Sequence, residues 1–156
     1  MKAIFVESLN GYLARGPDDD MLWTPSLDKK LFKLLSFAFG GLYVCSQHTY
    51  DLLPITMRND INRRFITADK DGKNSLKELK KKYPNGVLIG GPRFLVAAYD
   101  IGAIDTFIIT TVNKNISGPA EYKNPFAEKL AKQGANCEIK FEDMVVRVYY
   151  NKMHAH

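Results

Sequence analysis

Three groups of residues carry the chemistry that this sequence can support. The first is Asp28, which sits four residues before Phe32 and seven before Leu35, so all three share one face of a helix. An acid on the apolar side of a helix loses solvation, which raises its pKa unless a cationic ligand offsets the loss. An acid in a first helical turn also complements the helix dipole with no ligand at all. The second group is Ile89-Gly90-Gly91-Pro92-Arg93, where an apolar run meets two glycines and then a proline suited to the first position of a helix. Glycines let a ligand approach the backbone, and the free amides at a helix start favour an anion such as a phosphate. Arg93 adds a charged donor in the first turn. A tight strand-to-helix turn with no ligand uses the same residues. The third group, Ser46-Gln47-His48-Thr49, follows another apolar run and offers hydroxyls and an imidazole, or an ordinary loop. Two such turns on neighbouring strands form a dinucleotide groove at the carboxyl ends of a sheet. The dinucleotide fingerprint of three spaced glycines after a strand is missing, which argues against a conventional Rossmann domain.

Positioning these groups requires an α/β fold, and strand-like and helix-like segments do alternate. Lys2 to Glu7 reads as a first strand, and Gly11 to Thr24 as a loop rich in Gly, Pro and Asp. Ser26 is expected to cap a helix reaching Ala38, with Leu27, Leu31 and Leu34 packing on the sheet. Gly41 to Cys45 is a second strand, followed by a short helix from Thr49, and Arg64 to Ala68 is a third. Ser75 caps a basic helix, Val87 to Ile89 is a buried strand, and a helix opens at Pro92. Thr106 to Val112 is a further strand, and Ile139 to Phe141 with Val145 to Tyr150 forms a closing hairpin that makes the end of a mostly parallel sheet antiparallel.

The 156 residues suit one domain, assigned to 1–152, with a tail at 153–156. Apolar residues at 46% and charged residues at 25% are ordinary for a folded cytosolic protein. No stretch approaches the length of a membrane span, and Glu7 interrupts the first apolar run too early for a signal peptide. The chain is therefore expected in the cytoplasm. Cys45 and Cys137 lie far apart without metal-ligand spacing and read as reduced thiols on strands; no metal site is assigned. A net charge of +5 fits an anionic cofactor as simply as nucleic acid. The basic run Lys77 to Lys82 lacks aromatic residues for base stacking and reads as a solvated helix face, so no nucleic-acid partner is assigned. Met153-His154-Ala155-His156 reads as a disordered end.

Taken together, the residues resemble the dihydrofolate reductase family. The run Met21 to Lys33 resembles that family's substrate helix: Trp23, the acid Asp28 five positions later, and Phe32 four beyond. His48-Thr49-Tyr50 is similar to its His-Thr-aromatic segment, Arg63 precedes a strand, Ile89-Gly90-Gly91 resembles its cofactor turn, and Thr110 falls on a late strand. These elements recur in order over nearly the whole chain.

The resemblance implies NADPH-dependent hydride transfer to dihydrofolate by a single-domain enzyme, expected to be a monomer rather than a homodimer. By it, Asp28 and Thr110 would bind the pterin, and Trp23 would position a water that delivers the proton. Ile4, Phe5, Phe32, Leu53 and Ile89 would wall the substrate, and Arg63 would hold its glutamate carboxylate. Val6 and Leu13 would border the nicotinamide; Gln47, His48 and Thr49 would face the cofactor, and Gly90, Gly91, Pro92, Arg93, Phe94 and Leu95 would embrace its pyrophosphate and ribose; Asp69 would favour free ribose hydroxyls and Lys70 a 2′-phosphate, and Arg93 nearby tips the choice to NADPH.

Several positions depart from that pattern. Leu22 stands in place of a proline, Ala14 and Pro92 in place of glycines, and Gln47 in place of a basic cofactor contact. Ser8 to Ala14 and Gly91 to Leu95 also look like the reductase domain of riboflavin biosynthesis, which shares the fold and cofactor but reduces the ribose of a phosphorylated aminopyrimidine. A catalytically silent binding or structural subunit is the third reading.

Overall fold

Residues 1–151 are described by the computed structural model; the tail at 153–156 and residue 152 lie outside them. At the centre is β1 (Lys2–Ser8), paired in parallel with β4 (Val87–Leu88) on one side and β5 (Thr106–Val112) on the other. The pairing with β5 runs in unbroken register from Lys2 opposite Thr106 to Ser8 opposite Val112. Beyond β4 come β2 (Leu42–Cys45) and the edge strand β3 (Arg64–Thr67), again parallel. On the other flank β7 (Met144–Tyr150) is antiparallel to β5, and β6 (Cys137–Lys140) is antiparallel to β7. The result is a seven-stranded mixed sheet in the order β3-β2-β4-β1-β5-β7-β6.

The central strands read as near-continuous apolar runs because helices cover both faces of the sheet. Alternation along each strand then sorts side chains into two cores. Ala3, Val44, Leu88, Phe107 and Ile109 point to one face, where they meet Leu79 of α4 (Leu76–Lys82), Leu95 and Ala98 of α5 (Pro92–Asp100), and Leu130 of α6 (Ala127–Gln133). Ile4, Tyr43, Ile89, Ile108 and Val146 point to the other, under Leu31, Phe32, Leu35 and Phe39 from α1 (Ser26–Ala38) and the residue that follows it. The short helices α2 (Gln47–Leu52) and α3 (Ile55–Arg58) close that side with Tyr50 and Met57.

Phe107 anchors the first core: it is 1% exposed, and its ring centroid lies 4.9 Å from Phe126 and 6.2 Å from Tyr99. Phe107→Ala is expected to destabilise the fold by about 3–5 kcal/mol, because the cavity left behind cannot fully collapse. Urea denaturation reads this directly, and an unchanged midpoint would show that the aromatic cluster does not hold the sheet to its helices.

Most expected elements are present, with informative shifts. Ser26 opens α1 from inside; its N-cap is Pro25, which has no side-chain bond to offer. Leu27 and Leu34 do not pack on the sheet: they are 40% and 66% exposed, and the inward stripe is Leu31, Phe32, Leu35 and Ser36. α2 begins at Gln47, two residues ahead of Thr49, because Ser46 caps it by accepting from the Thr49 amide. Ser75 caps α4 in the expected way, accepting from the Glu78 amide, and Leu79 is fully buried while Lys77, Lys81 and Lys82 are exposed. β6 starts at Cys137, earlier than Ile139, and all four of its residues are exposed, so it carries no apolar alternation to mark it.

Cys45 and Cys137 stand on β2 and β6 as free thiols; burial pushes Cys45 up to about 11 and makes it a poor nucleophile at neutral pH. No helix among the described residues is long and apolar enough to cross a membrane.

Candidate active site

The site grows from the inward stripe of α1. Asp28 lies one turn before Leu31 and Phe32 on that stripe, so the helix that buries its leucines carries the carboxylate inward with them. The carboxylate lines a cavity of about 340 Å³ between α1 and the sheet. Its floor is Ile4 and Val6 of β1 with Ile108 and Thr110 of β5, and Val6 is directly opposite Thr110 in the register. Phe32, Leu53, Met57 and Ile89 form apolar walls, and Leu13 closes the side nearest the first loop. Phe5 also reaches the cavity, although it packs against the core on the other face. Gly90 and Thr49 complete the lining. The acid and the glycine turn therefore open into one space.

Burial pushes the Asp28 carboxyl above the ordinary carboxylate range. A hydrogen bond from Thr110 and the charge of Lys29 oppose that rise without cancelling it. Thr110 is 5% exposed, so its hydroxyl serves the cavity and not bulk solvent.

An adjoining cavity of about 500 Å³ is lined by Ser46, His48 and Thr49 from one turn and by Gly91, Pro92, Arg93 and Phe94 from the other. Both turns lie at the carboxyl ends of β2 and β4, which are parallel neighbours, with the Ile89 amide donating to the Val44 carbonyl at 3.0 Å. Thr49 belongs to both cavities. Gly90 adopts a φ of +151°, and a Cβ there would stand 3.1 Å from the Phe94 ring. Gly91 is different: a Cβ there would meet nothing within 4 Å, so the packing of the fold does not require a glycine at this lining position. α5 begins with Pro92 and has no side-chain cap, and its first intrahelical bond is from the Leu95 amide to the Gly91 carbonyl. The amides of Arg93 and Phe94 consequently find no partner inside the helix. This cradle of glycine, helix start and Arg93 suits a pyrophosphate.

Five expected site residues are placed elsewhere. Trp23 is 4% exposed and packs with Val112 and Ile116; its indole N–H donates to Asp19 at 2.9 Å and is not directed at the Asp28 cavity. Arg63 lies against the Phe37 and Tyr43 rings with its Nε 3.4 Å from Asp60, outside the cavity lining. Gln47 is exposed and donates to Asp51, which ties it to its own helix. Lys70 lines a separate surface hollow with Gly72 and Lys77. Leu95 is 1% exposed in the core, since it falls on the inward stripe of α5.

Other lining residues escaped the sequence reading. Ile108 was recoverable, because it sits two residues before Thr110 on the same strand face. Lys29, Met21 and Thr24 line the Asp28 cavity, and Glu121 and Tyr122 line its neighbour. The segment bearing Tyr122 is fastened to the first loop by the Leu13 amide donating to the Tyr122 carbonyl and the Asn124 amide donating to Gly11, each at 2.8 Å. No local pattern announces that long-range pairing. No protein-family model matches the chain, and no curated protein matches it.

Proposed function

We propose that this protein is an NADPH-dependent reductase of the dihydrofolate reductase type, converting dihydrofolate to tetrahydrofolate. One observation carries the reading: the Asp28 carboxylate and the Gly90 turn line the same cavity, which adjoins the Gly91–Arg93 cradle. A desolvated acid suits the donor edge of a pterin, and the cradle suits a dinucleotide. Gly91, the uncapped start of α5 and Arg93 fit a pyrophosphate, and His48 and Thr49 face them across the same space.

Bound there, a reduced nicotinamide supplies a hydride; the protein aligns the rings and manages charge. Asp28 accepts hydrogen bonds from the substrate ring, and Thr110 steadies the carboxylate. Phe32, Leu53, Ile4 and Ile89 hold the ring flat and exclude water. With the Trp23 N–H committed to Asp19, the proton for the reduced ring is assigned to a water molecule at the Asp28 end of the cavity, while the Asp28 carboxylate stays engaged with the ring's N–H groups.

The test is oxidation of NADPH and NADH by the purified protein, with dihydrofolate and with the ribosylated aminopyrimidine as separate substrates. Turnover of dihydrofolate with NADPH is the expected result. Turnover of the pyrimidine alone selects the riboflavin-type reductase, and failure to bind either nicotinamide selects a silent member.

A further inference from the structure

A further cavity lies on the other face of the sheet, behind the Asp28 site. Val6 and Thr110 line the Asp28 cavity; Glu7 and Thr111, the next residues on the same two strands, point the opposite way and line a separate cavity of about 370 Å³. The two cavities share no residue. Along β1 and β5 this face is apolar until the strands end: Ala3 and Phe5 precede Glu7, and Phe107 and Ile109 precede Thr111. α6 roofs the cavity with Leu130 and the small, exposed Ala131, and Ile109 and Tyr149 add apolar floor.

The Glu7 carboxylate is held from two sides. The Thr111 hydroxyl donates to its Oε2 and Asn124 Nδ2 donates to its Oε1, each at 2.8 Å. Asn124 is fixed in turn: it is 8% exposed, and its Oδ1 accepts from the Phe126 amide at 2.9 Å. Both donors to Glu7 are neutral, and Glu7 is in no ion pair among the described residues. Asp105, Asp60 and Glu138, by contrast, sit beside Lys2, Arg63 and Arg147.

Arg147 also lines the cavity, but its Nε is committed to Glu138 at 2.8 Å, and only a 3.5 Å contact from Nη1 to the Thr111 hydroxyl oxygen links it to Glu7. Lys140, 3.7 Å from Glu138, is 76% exposed and lies outside the lining. Two carboxylates and one guanidinium line the cavity, which leaves the charge of Glu7 unmatched. A carboxylate offers about four lone-pair sites, and the fold uses one on each oxygen of Glu7. A half-buried carboxylate positioned without a counter-charge loses solvation that an incoming cation restores.

We propose that this cavity is a further binding site, one that takes a primary ammonium carrying a small apolar group. The ammonium meets Glu7, and the apolar part lies against Ile109, Leu130 and Tyr149. A compact ammonium with rotatable donors suits a carboxylate whose oxygens are each already engaged once, where a planar guanidinium fork needs both on one side. The cavity falls in the size range of small-molecule sites, apolar walls with a few convergent polar groups. The site stands whether or not the Asp28 cavity takes a pterin.

The test titrates the full chain with 2-phenylethylammonium chloride and, separately, with 2-phenylethanol, which keeps the shape and lacks the charge, while backbone amide shifts are followed by NMR. Saturable shifts at Thr111, Asn124 and Arg147 are expected with the ammonium, and about tenfold weaker binding with the alcohol. Glu7→Gln keeps the shape of the side chain and is expected to erase that preference. Ala131→Leu enlarges the roof without touching the charge and is expected to weaken both compounds, while Asp28→Asn leaves the shifts unchanged. Equal affinity for ammonium and alcohol, or a preference that survives Glu7→Gln, overturns the proposal. Absence of shifts at these residues reduces Glu7 to a tie between β1 and Asn124, and loss of binding in Asp28→Asn alone puts the cation in the other cavity; either result overturns it too. If Glu7→Gln melts far below the unaltered protein, the ammonium–alcohol comparison and Ala131→Leu decide the matter without it.

Discussion

Asp28→Asn is expected to lower dihydrofolate turnover about 10³-fold at neutral pH, the scale of losing a positioned acid together with its charge. The same substitution is expected to leave the fold intact and make it more stable. Burial raises the pKa of Asp28 above its ordinary 3.8, so between that value and the raised one the folded protein holds a proton that the unfolded chain has released. Stability attributable to this group therefore falls as pH rises through the window, and the cost persists at neutral pH. Asparagine keeps the shape and removes the charge. Its melting temperature should exceed that of the unaltered protein at neutral pH and lose the advantage in acid. Such a trade of stability for activity is the mark of a carboxylate retained for chemistry. Full turnover in the variant would falsify the assignment, and a lower melting temperature at neutral pH would show that the carboxylate stabilises the native structure.

The contrast between Asp28 and Trp23 shows what the sequence could and could not convey. Asp28 shares a helical face with Phe32 and Leu35, and helical periodicity is local, so its inward position followed from spacing alone. The glycine turn was legible for the same reason: a strand, two glycines and a proline at the first helical position describe one short stretch of backbone. Trp23 lies in an irregular loop, where no period fixes direction, and its orientation is set by Asp19 four residues earlier. Arg63 had only its place before a strand to recommend it, and the aromatic rings of Phe37 and Tyr43 hold it elsewhere. α1 is instructive about periodicity itself. Leu27 and Leu34 are as apolar as Leu31, yet the buried arc is too narrow to include all three, and Ser36 takes a buried place by donating to the Phe32 carbonyl at 2.6 Å. α6 was missed because Leu130 alone is buried in it, and β6 was placed two residues late because none of its residues is buried. Signals that depend on distant partners stay silent until the chain has folded.

Gly91→Leu is expected to weaken NADPH binding about 100-fold while changing stability by no more than about 0.5 kcal/mol. The argument turns on what surrounds the position. Gly91 has φ −76° and ψ 175°, extended backbone open to any residue, and no atom within 4 Å of where a Cβ would stand. Folding therefore gives no reason for glycine here. Gly91 lines the cavity shared with His48, Thr49 and Arg93, so leucine there is expected to crowd the ground proposed for the pyrophosphate. Gly90→Ala supplies the opposing control. Its φ of +151° and the Phe94 ring 3.1 Å away make any side chain strained, and a loss of about 1–3 kcal/mol in stability is expected before any effect on ligand. Calorimetric titration with NADPH beside thermal denaturation resolves the pair. If Gly91→Leu binds NADPH as tightly as the original protein, the open ground at the start of α5 is vacant for some reason other than a dinucleotide. If it loses binding and keeps its melting temperature, the glycine is explained by the ligand, since nothing in the packing of the chain explains it.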